Sequence, residues 1–269
     1  MSGDSEIRLS VMSDDFGMSP AVNEGIVQAF TKGVLTDTNL MAPCGSFPEA
    51  VQLAKAHQIP VGIHATFTAE WDYLRWKPLT PLKSMAKADG TFRETVEGAW
   101  ENADMGEAEA ELKAQWMRIE ASGLKITHAC EHMGPDPWGR VAGLFAFHLR
   151  KEKTPSRNRV HAEKFNFPRT AWTSHFVTSA LSTDPKVVRE KLKEWIHTIG
   201  PGHHLWQCHC AVDHPSLEQM CKPDHLAFHW ARTYRMIDQS LVLDPEVREW
   251  IEKRGIRLAP ISECPTAGF

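Results

Sequence analysis

Two adjacent carboxylates, Asp14 and Asp15, stand in the run Ser13-Asp14-Asp15-Phe16-Gly17, and histidines occur singly further on. His64 lies in Gly62-Ile63-His64-Ala65-Thr66, His128 and His132 flank Cys130, and His209 sits between Cys208 and Cys210. One carboxylate and two imidazoles make an adequate donor set for a divalent cation that keeps open positions for water. Such a cation lowers the pKa of its water and polarises a carbonyl oxygen, which is the chemistry of hydrolysis. A carboxylate outside the ligand set can take the water's proton, and a separate imidazole can protonate a leaving amine. Adjacent aspartates can supply both carboxylates from one tight turn.

Each feature also has a structural reading. An aspartate pair before glycine is often a turn with a helix cap. A histidine in a strand, such as His128, often bonds a neighbouring backbone group. Cys208-x-Cys210 suggests a soft metal site but lacks a second cysteine pair. The six cysteines, Cys44, Cys130, Cys208, Cys210, Cys221 and Cys264, form no CxxC pair and no disulfide framework, so reduced thiols are expected.

The elements that must position these groups alternate between strand-like and helix-like, which predicts an α/β fold with mostly parallel strands. Strands are expected at Ile7–Met12, Val34–Met41, Pro60–Phe67, Lys125–Cys130, His203–Cys208 and Ile256–Ile261. Helices are expected from Ser19-Pro20 to Gly33 and over Phe47–His57, Glu107–Ser122, Asp184–Ile199, Asp224–Leu241 and Asp244–Arg254. Ser19 and Asp184 serve as caps, each followed by a proline at the first helical position. Residues 70–104 and 151–175 read as loop insertions in a single domain covering 1–269. Asp14-Asp15, His64, His128, His132 and His209 all fall where a strand ends. In β/α barrels those ends face one mouth, where active sites are built.

The bulk composition excludes other classes. The formal net charge is -4, with 42% apolar and 24% charged residues, and basic residues are scattered, so nucleic acid is not an expected partner. No apolar run reaches the ~18 residues of a membrane span. Met1 to Arg8 is polar, with no signal-peptide pattern, so the expected location is the cytoplasm. There are 10 Trp against 2 Tyr. Trp71, Trp76 and Trp138, in loops flanking the motifs, are candidates to stack on a sugar ring.

The run Ser13-Asp14-Asp15-Phe16-Gly17-Met18-Ser19-Pro20-Ala21-Val22-Asn23-Glu24-Gly25-Ile26 closely resembles the opening of the YdjC-like carbohydrate deacetylases, also called chitooligosaccharide deacetylases. Gly33-Val34-Leu35-Thr36 is similar to the family's second strand, and Gly62-Ile63-His64-Ala65-Thr66-Phe67-Thr68 to its Gly-Leu-His-Leu-x-Leu-Thr. Ile126-Thr127-His128-Ala129-Cys130-Glu131-His132-Met133-Gly134 is similar to its Thr-His-x-Asp-Ser-His-Met-Gly, and Leu205-Trp206-Gln207-Cys208-His209 to its late strand ending in His-Pro. The resemblance implies an irregular, TIM-like β/α barrel of the glycoside hydrolase and deacetylase type. It implies Asp15, His64 and His132 as ligands of one divalent metal, with Mg or Zn foremost and Mn, Co or Ni also accommodated. It implies Asp14 as general base, His209 as catalytic acid, and a small N-acetylated amino sugar as substrate. A homodimer would be in keeping with the family.

The chain departs from the family pattern at Cys130-Glu131, where Asp-Ser is usual, and at Gln207, where Glu is common. Cys130 is therefore expected as a reduced, non-ligand residue near the metal, either behind the ligands or in contact with substrate, and Gln207 in contact with substrate; the departures bear on which sugar is taken. Two other readings fit the same residues. Two histidines and a carboxylate also suit a sugar isomerase or a non-haem iron enzyme, but a spare base beside the metal suits hydrolysis better. A non-catalytic sugar-binding relative would have no use for a proton-transfer residue.

Overall fold

The computed structural model describes residues 5–134, 139–140, 143–144, 146, 149, 154–157, 169–225 and 227–267. Its first strand, β1 (Ile7–Phe16), is buried from Leu9 onward, as a central strand of a parallel sheet covered on both faces must be. Helix α1 (Pro20–Lys32) follows. The Ser19 side chain accepts from Val22 N, and Pro20 presets the first turn. Then come β2 (Asp37–Leu40), α2 (Phe47–His57), β3 (Val61–Ala65), α3 (Val96–Trp100), α4 (Met105–Ala121) and β4 (Ile126–Glu131). After them lie β5 (Arg169–Thr170), β6 (Ser174–Val177), α5 (Pro185–Thr198), β7 (Gly202–Cys208), α6 (Phe228–Ala231), α7 (Thr233–Val242), α8 (Pro245–Lys253), β8 (Ile256–Leu258) and β9 (Thr266–Ala267).

Among the described residues the main sheet has seven strands in the order β4-β3-β2-β1-β7-β6, with β8 also on β1. Every pair in it is parallel. The fold is therefore α/β, as expected. The hydrogen-bonded path runs from β4 to β6 without closing among the described residues, but the sheet is strongly curled. Ser156 bridges Ala129 of β4, its neighbour Arg157 reaches Asp14 of β1, and Trp172 Nε1 donates to Arg157 O just ahead of β6.

Several boundaries differ from the sequence reading for identifiable reasons. β1 runs four residues beyond Met12 because a bulge carries the ladder through both aspartates. Residues 34 and 35 stay out of the β2 ladder: Val34 N bonds Val242 O and Leu35 N bonds Ala29 O. The expected helix over Asp224–Leu241 is α6 and α7, broken at Arg232, whose φ is -133°. β6 falls partly in the expected 151–175 loop; its four residues are too few to show alternation, and β7 supplies the ladder. In the 70–104 segment, Glu111 of α4 accepts from Leu79 N and Thr80 N, while Gln115 clasps the backbone of Thr66. That anchors the stretch carrying Glu70 and Trp71. No helix of the described residues is long and apolar enough to cross a membrane.

Gly25 shows how tightly α1 sits under the site. A Cβ there would stand 2.3 Å from Ala211 Cα, two residues past His209. Backbone cannot give way as a flexible side chain can. Gly25→Ala is expected to destabilise by ~1–3 kcal/mol through overpacking, read as a lower Tm; an unchanged melt would contradict this close approach.

Candidate active site

In a regular strand, neighbouring side chains point to opposite faces, so Asp14 and Asp15 could not both reach one mouth. The ladder passes from Ser13↔Thr38 to Phe16↔Leu40, which sets two aspartates against the single residue Asn39. This is a β-bulge, a device that re-aims side chains. Asp15 also takes φ 74°, in the left-handed region. Such strain gathers at functional sites, and aspartate tolerates it better than most residues. Both carboxylates end up buried at the same end of the sheet.

Asp15 Oδ1, His64 Nε2 and His132 Nδ1 form a triangle with three edges of 3.3 Å. The rear contacts of the two imidazoles set their tautomers. His132 Nε2 lies 3.0 Å from Glu70 Oε2, an acceptor, so that nitrogen carries the hydrogen and Nδ1 is bare. His64 Nδ1 lies 3.0 Å from Cys130 Sγ, whose thiol donates to Ile63 O and therefore accepts from Nδ1–H, leaving Nε2 bare. Three lone pairs thus converge, and Asp15 Oδ1 is buried with no hydrogen-bond partner among the described residues. Such an arrangement calls for a cation. Without a metal ion the cation is a proton: burial alone would lower the His132 pKa, but Glu70 and Asp15 raise it to about 10. The edges match those of ligand atoms about 2.0–2.1 Å from one tetrahedral ion, so the donor set fits a divalent metal. Arg235 Nη2 holds the other Asp15 oxygen at 2.7 Å.

Asp14, His64 and Cys130 also bring ligand atoms within 4.8 Å of one another. That set is blocked. Asp14 Oδ1 accepts from Asn39 and Arg157 at 2.6 Å each, and Oδ2 accepts from Arg157 at 3.0 Å and Gln207 at 2.9 Å. Four donors leave Asp14 little to offer an ion. Burial would raise its pKa, but Arg157 and the nearby imidazoles hold it well below the usual carboxylate range. Cys130 is pushed the other way, above the usual thiol range, chiefly by burial.

His209 Nε2 lies 3.8 Å from Asp14 Oδ2. Its orientation comes from behind. Nδ1 is 2.7 Å from Ser179 Oγ, and the Ser179 hydroxyl donates to Asp238 Oδ2. Asp238 Oδ2 also accepts from His209 N at 2.8 Å. Burial raises the Asp238 pKa to about 6, so it is mostly ionised at neutral pH. With its one hydrogen given to Asp238, Ser179 must accept from Nδ1–H. His209 is thus a neutral imidazole presenting its Nε2 lone pair, its pKa lowered to about 4 mainly by burial. If His209 transfers a proton, Ser179→Ala should slow turnover roughly 10-fold by freeing the ring, on the scale of a lost orienting hydrogen bond, and leave any metal content unchanged. Unchanged kcat would remove Ser179 from the machinery.

These groups face one cavity of about 600 Å³, a size suited to a small ligand. Asp14, Asp15, His64, His132, Gln207, His209 and Trp71 line it. Two expected substrate contacts do not. Trp76 is buried, with Nε1 bonded to Thr68 O and its ring against His132 at 6.0 Å, so it backs a candidate ligand instead of meeting solute. Cys130 is buried behind His64, opposite it in the β3–β4 register. Trp138 lies outside the described residues. His128 is buried and away from the triangle, with Nδ1 on Thr127 Oγ1. The sequence reading missed Glu70, Arg157, Ser179, Arg235 and Asp238. A signal existed for the last two: charges at i, i+3 on one face of an otherwise core-facing helix.

Comparison with known proteins agrees with this geometry. The sequence model of the YdjC-like protein family matches residues 8–253. A carbohydrate deacetylase of Listeria welshimeri is 36% identical over 129 residues, 46% of this chain and 51% of that protein. One from Brevibacillus brevis is 39% identical over 128 residues, 47% of this chain and 49% of that protein. The match therefore spans about half the length of these curated relatives. A crystal structure from Enterococcus faecalis V583, named provisionally for cellobiose-phosphate cleavage, superposes with a TM-score of 0.76 at 24% identity, covering 96% of this chain and 98% of that one. It shows a shared fold. With the family model matched across nearly the whole sequence and the fold shared end to end, the chain belongs to the YdjC-like protein family.

Proposed function

We propose that this protein is a metal-dependent hydrolase that removes the acetyl group from an N-acetylated amino sugar of one or two rings. The observation that carries the reading is the convergence of Asp15 Oδ1, His64 Nε2 and His132 Nδ1 on one point that calls for a cation, beside a clamped carboxylate and an imidazole presenting a lone pair. The deacetylase names of the two relatives support the substrate class. Asp15, His64 and His132 would hold the ion, and its chemistry would be to acidify water and polarise the acyl oxygen. Two imidazoles in the donor set favour zinc over magnesium, which prefers oxygen.

Asp14 stands ready as base and His209 as acid. Arg157, Asn39 and Gln207 fix Asp14 so that it need not reorganise, and the same contacts make it a weak base. Ser179 and Asp238 hold the His209 ring so that Nε2, 3.8 Å from Asp14 Oδ2, can take up the proton that Asp14 has removed from the water and pass it to the departing amine. The four-donor clamp favours a second reading, in which His209 Nε2 takes the water's proton itself and Asp14 stabilises the imidazolium. The amide reading is tested by assaying acetate and free amine from N-acetylglucosamine, its dimer, other acetylated amino sugars and O-acetylated xylan, with Mg, Zn, Mn, Co and Ni varied. Release is expected from the small amides. Release from the O-acetyl polymer alone would defeat the amide and size claims together, and no release from any substrate would favour a sugar-binding relative.

A further inference from the structure

Gln207 ties the proton-transfer carboxylate to a histidine that the mechanism above does not use. Its Nε2 donates to Asp14 Oδ2 at 2.9 Å, and a carboxylate can only accept, so the amide's orientation is settled. Oε1 therefore faces His175 Nε2, 3.1 Å away, and that nitrogen must carry the ring hydrogen. The His175 pKa is lowered to about 4, by burial first and by Arg157 second, so the ring is neutral at ordinary pH. A neutral imidazole with its hydrogen on Nε2 keeps a bare lone pair on Nδ1. Among the described residues nothing bonds that nitrogen.

His175 is exposed to the cavity, on the wall that β6 contributes. The Trp172 indole stands beside it, with ring centroids 5.2 Å apart at 53°. Trp172 Nε1 donates to Arg157 O, which fixes that ring as well. The wall thus pairs an immobilised aromatic surface with an acceptor-only nitrogen whose tautomer is imposed from behind. That is the pairing a pyranose needs, since its apolar ring face stacks on indole while its hydroxyls donate at the rim.

We propose that His175 is a specificity-determining residue: its Nδ1 accepts a hydrogen bond from one ring hydroxyl of the substrate while Trp172 covers the ring face. The inference rests on the acetylated-sugar reading of this cavity. The test uses the full, metal-loaded chain with the best acetylated sugar and its monodeoxy analogues, on wild type, His175→Ala, His175→Asn and His175→Gln. His175→Ala is expected to raise KM about 3- to 10-fold, the equivalent of one neutral hydrogen bond, with kcat and bound metal unchanged. One deoxy analogue should cost the wild type the same factor and cost His175→Ala nothing further. Asn, whose amide oxygen stands near the Nδ1 position, should restore much of the loss, and Gln, which mimics Nε2, should not. A fall in kcat with KM unchanged would overturn the proposal and make His175 a positioning group for Asp14. Equal penalties for every analogue in wild type and His175→Ala would also overturn it. If no acetylated sugar is turned over, the hydrolase reading fails by itself, and binding of the same analogues is followed by tryptophan fluorescence. Binding weakened by His175→Ala supports the contact; no sugar binding, or binding indifferent to the substitution, overturns it.

Discussion

His132→Ala is expected to empty the metal site and to take turnover below detection. The substitution removes one of the three converging atoms proposed as ligands. It also strands Glu70 as a buried carboxylate facing Asp15 with no cation between them. Two neighbours give graded controls. Glu70→Gln keeps an acceptor for His132 Nε2–H but loses the charge, and should weaken metal affinity ~10–100-fold, the usual scale for a group that supports a ligand from behind. Cys130→Ser keeps an atom that can accept from His64 Nδ1 and donate to Ile63 O, so it should retain stoichiometric metal. Elemental analysis of the dialysed proteins checks all three. Equal metal in wild type and His132→Ala would remove His132 from the ligand set. Metal lost from Cys130→Ser would place sulfur in it.

The second large effect is expected at His209. His209→Ala should lower kcat by a factor on the order of 10²–10⁴, the range for a lost proton-transfer group, with bound metal retained. Both proton assignments require this imidazole, because its Nε2 lone pair faces Asp14 and its Nδ1 is spoken for by Ser179. Asp14→Asn separates the two. If Asp14 is the base, the variant falls as far as His209→Ala. If His209 takes the proton, Asp14→Asn loses only the stabilisation of the imidazolium and falls less. A His209→Ala protein that lacks metal would instead make His209 a ligand, and near-normal turnover would exclude it from proton transfer.

Much of this was legible in residue order. Alternating strand and helix patterns read as α/β because periods of 2 and 3.6 are local properties of the chain. The caps at Ser19 and Asp184 lie where expected because a cap depends on its own turn alone. Asp14-Asp15, His64, His132 and His209 stood out because each ends a strand, and parallel strands with covered faces share one direction. The resemblance assigned roles among them; the local pattern alone left open which carboxylate faces the metal.

What the chain could not show locally is what depends on contacts between distant segments. The strand Ser174–Val177 exists because β7 offers it a ladder. Trp76 lies in a loop flanking the motifs, which makes it a candidate to stack on a sugar, yet it fills space behind His132. Glu70, Arg157, Ser179, Arg235 and Asp238 are separated from the groups they hold by as many as 220 positions. No periodicity links residues so far apart; the curl of the sheet brings them together. Sequence by itself determined the donor types and the strand ends that present them, since both follow from local chemistry and pattern. Tertiary structure alone decided which oxygen of Asp15 stays bare, which nitrogen of each histidine carries its hydrogen, and that Asp14 is clamped by four donors. Protonation and orientation are set by the hydrogen-bonding partners that folding brings within about 3 Å.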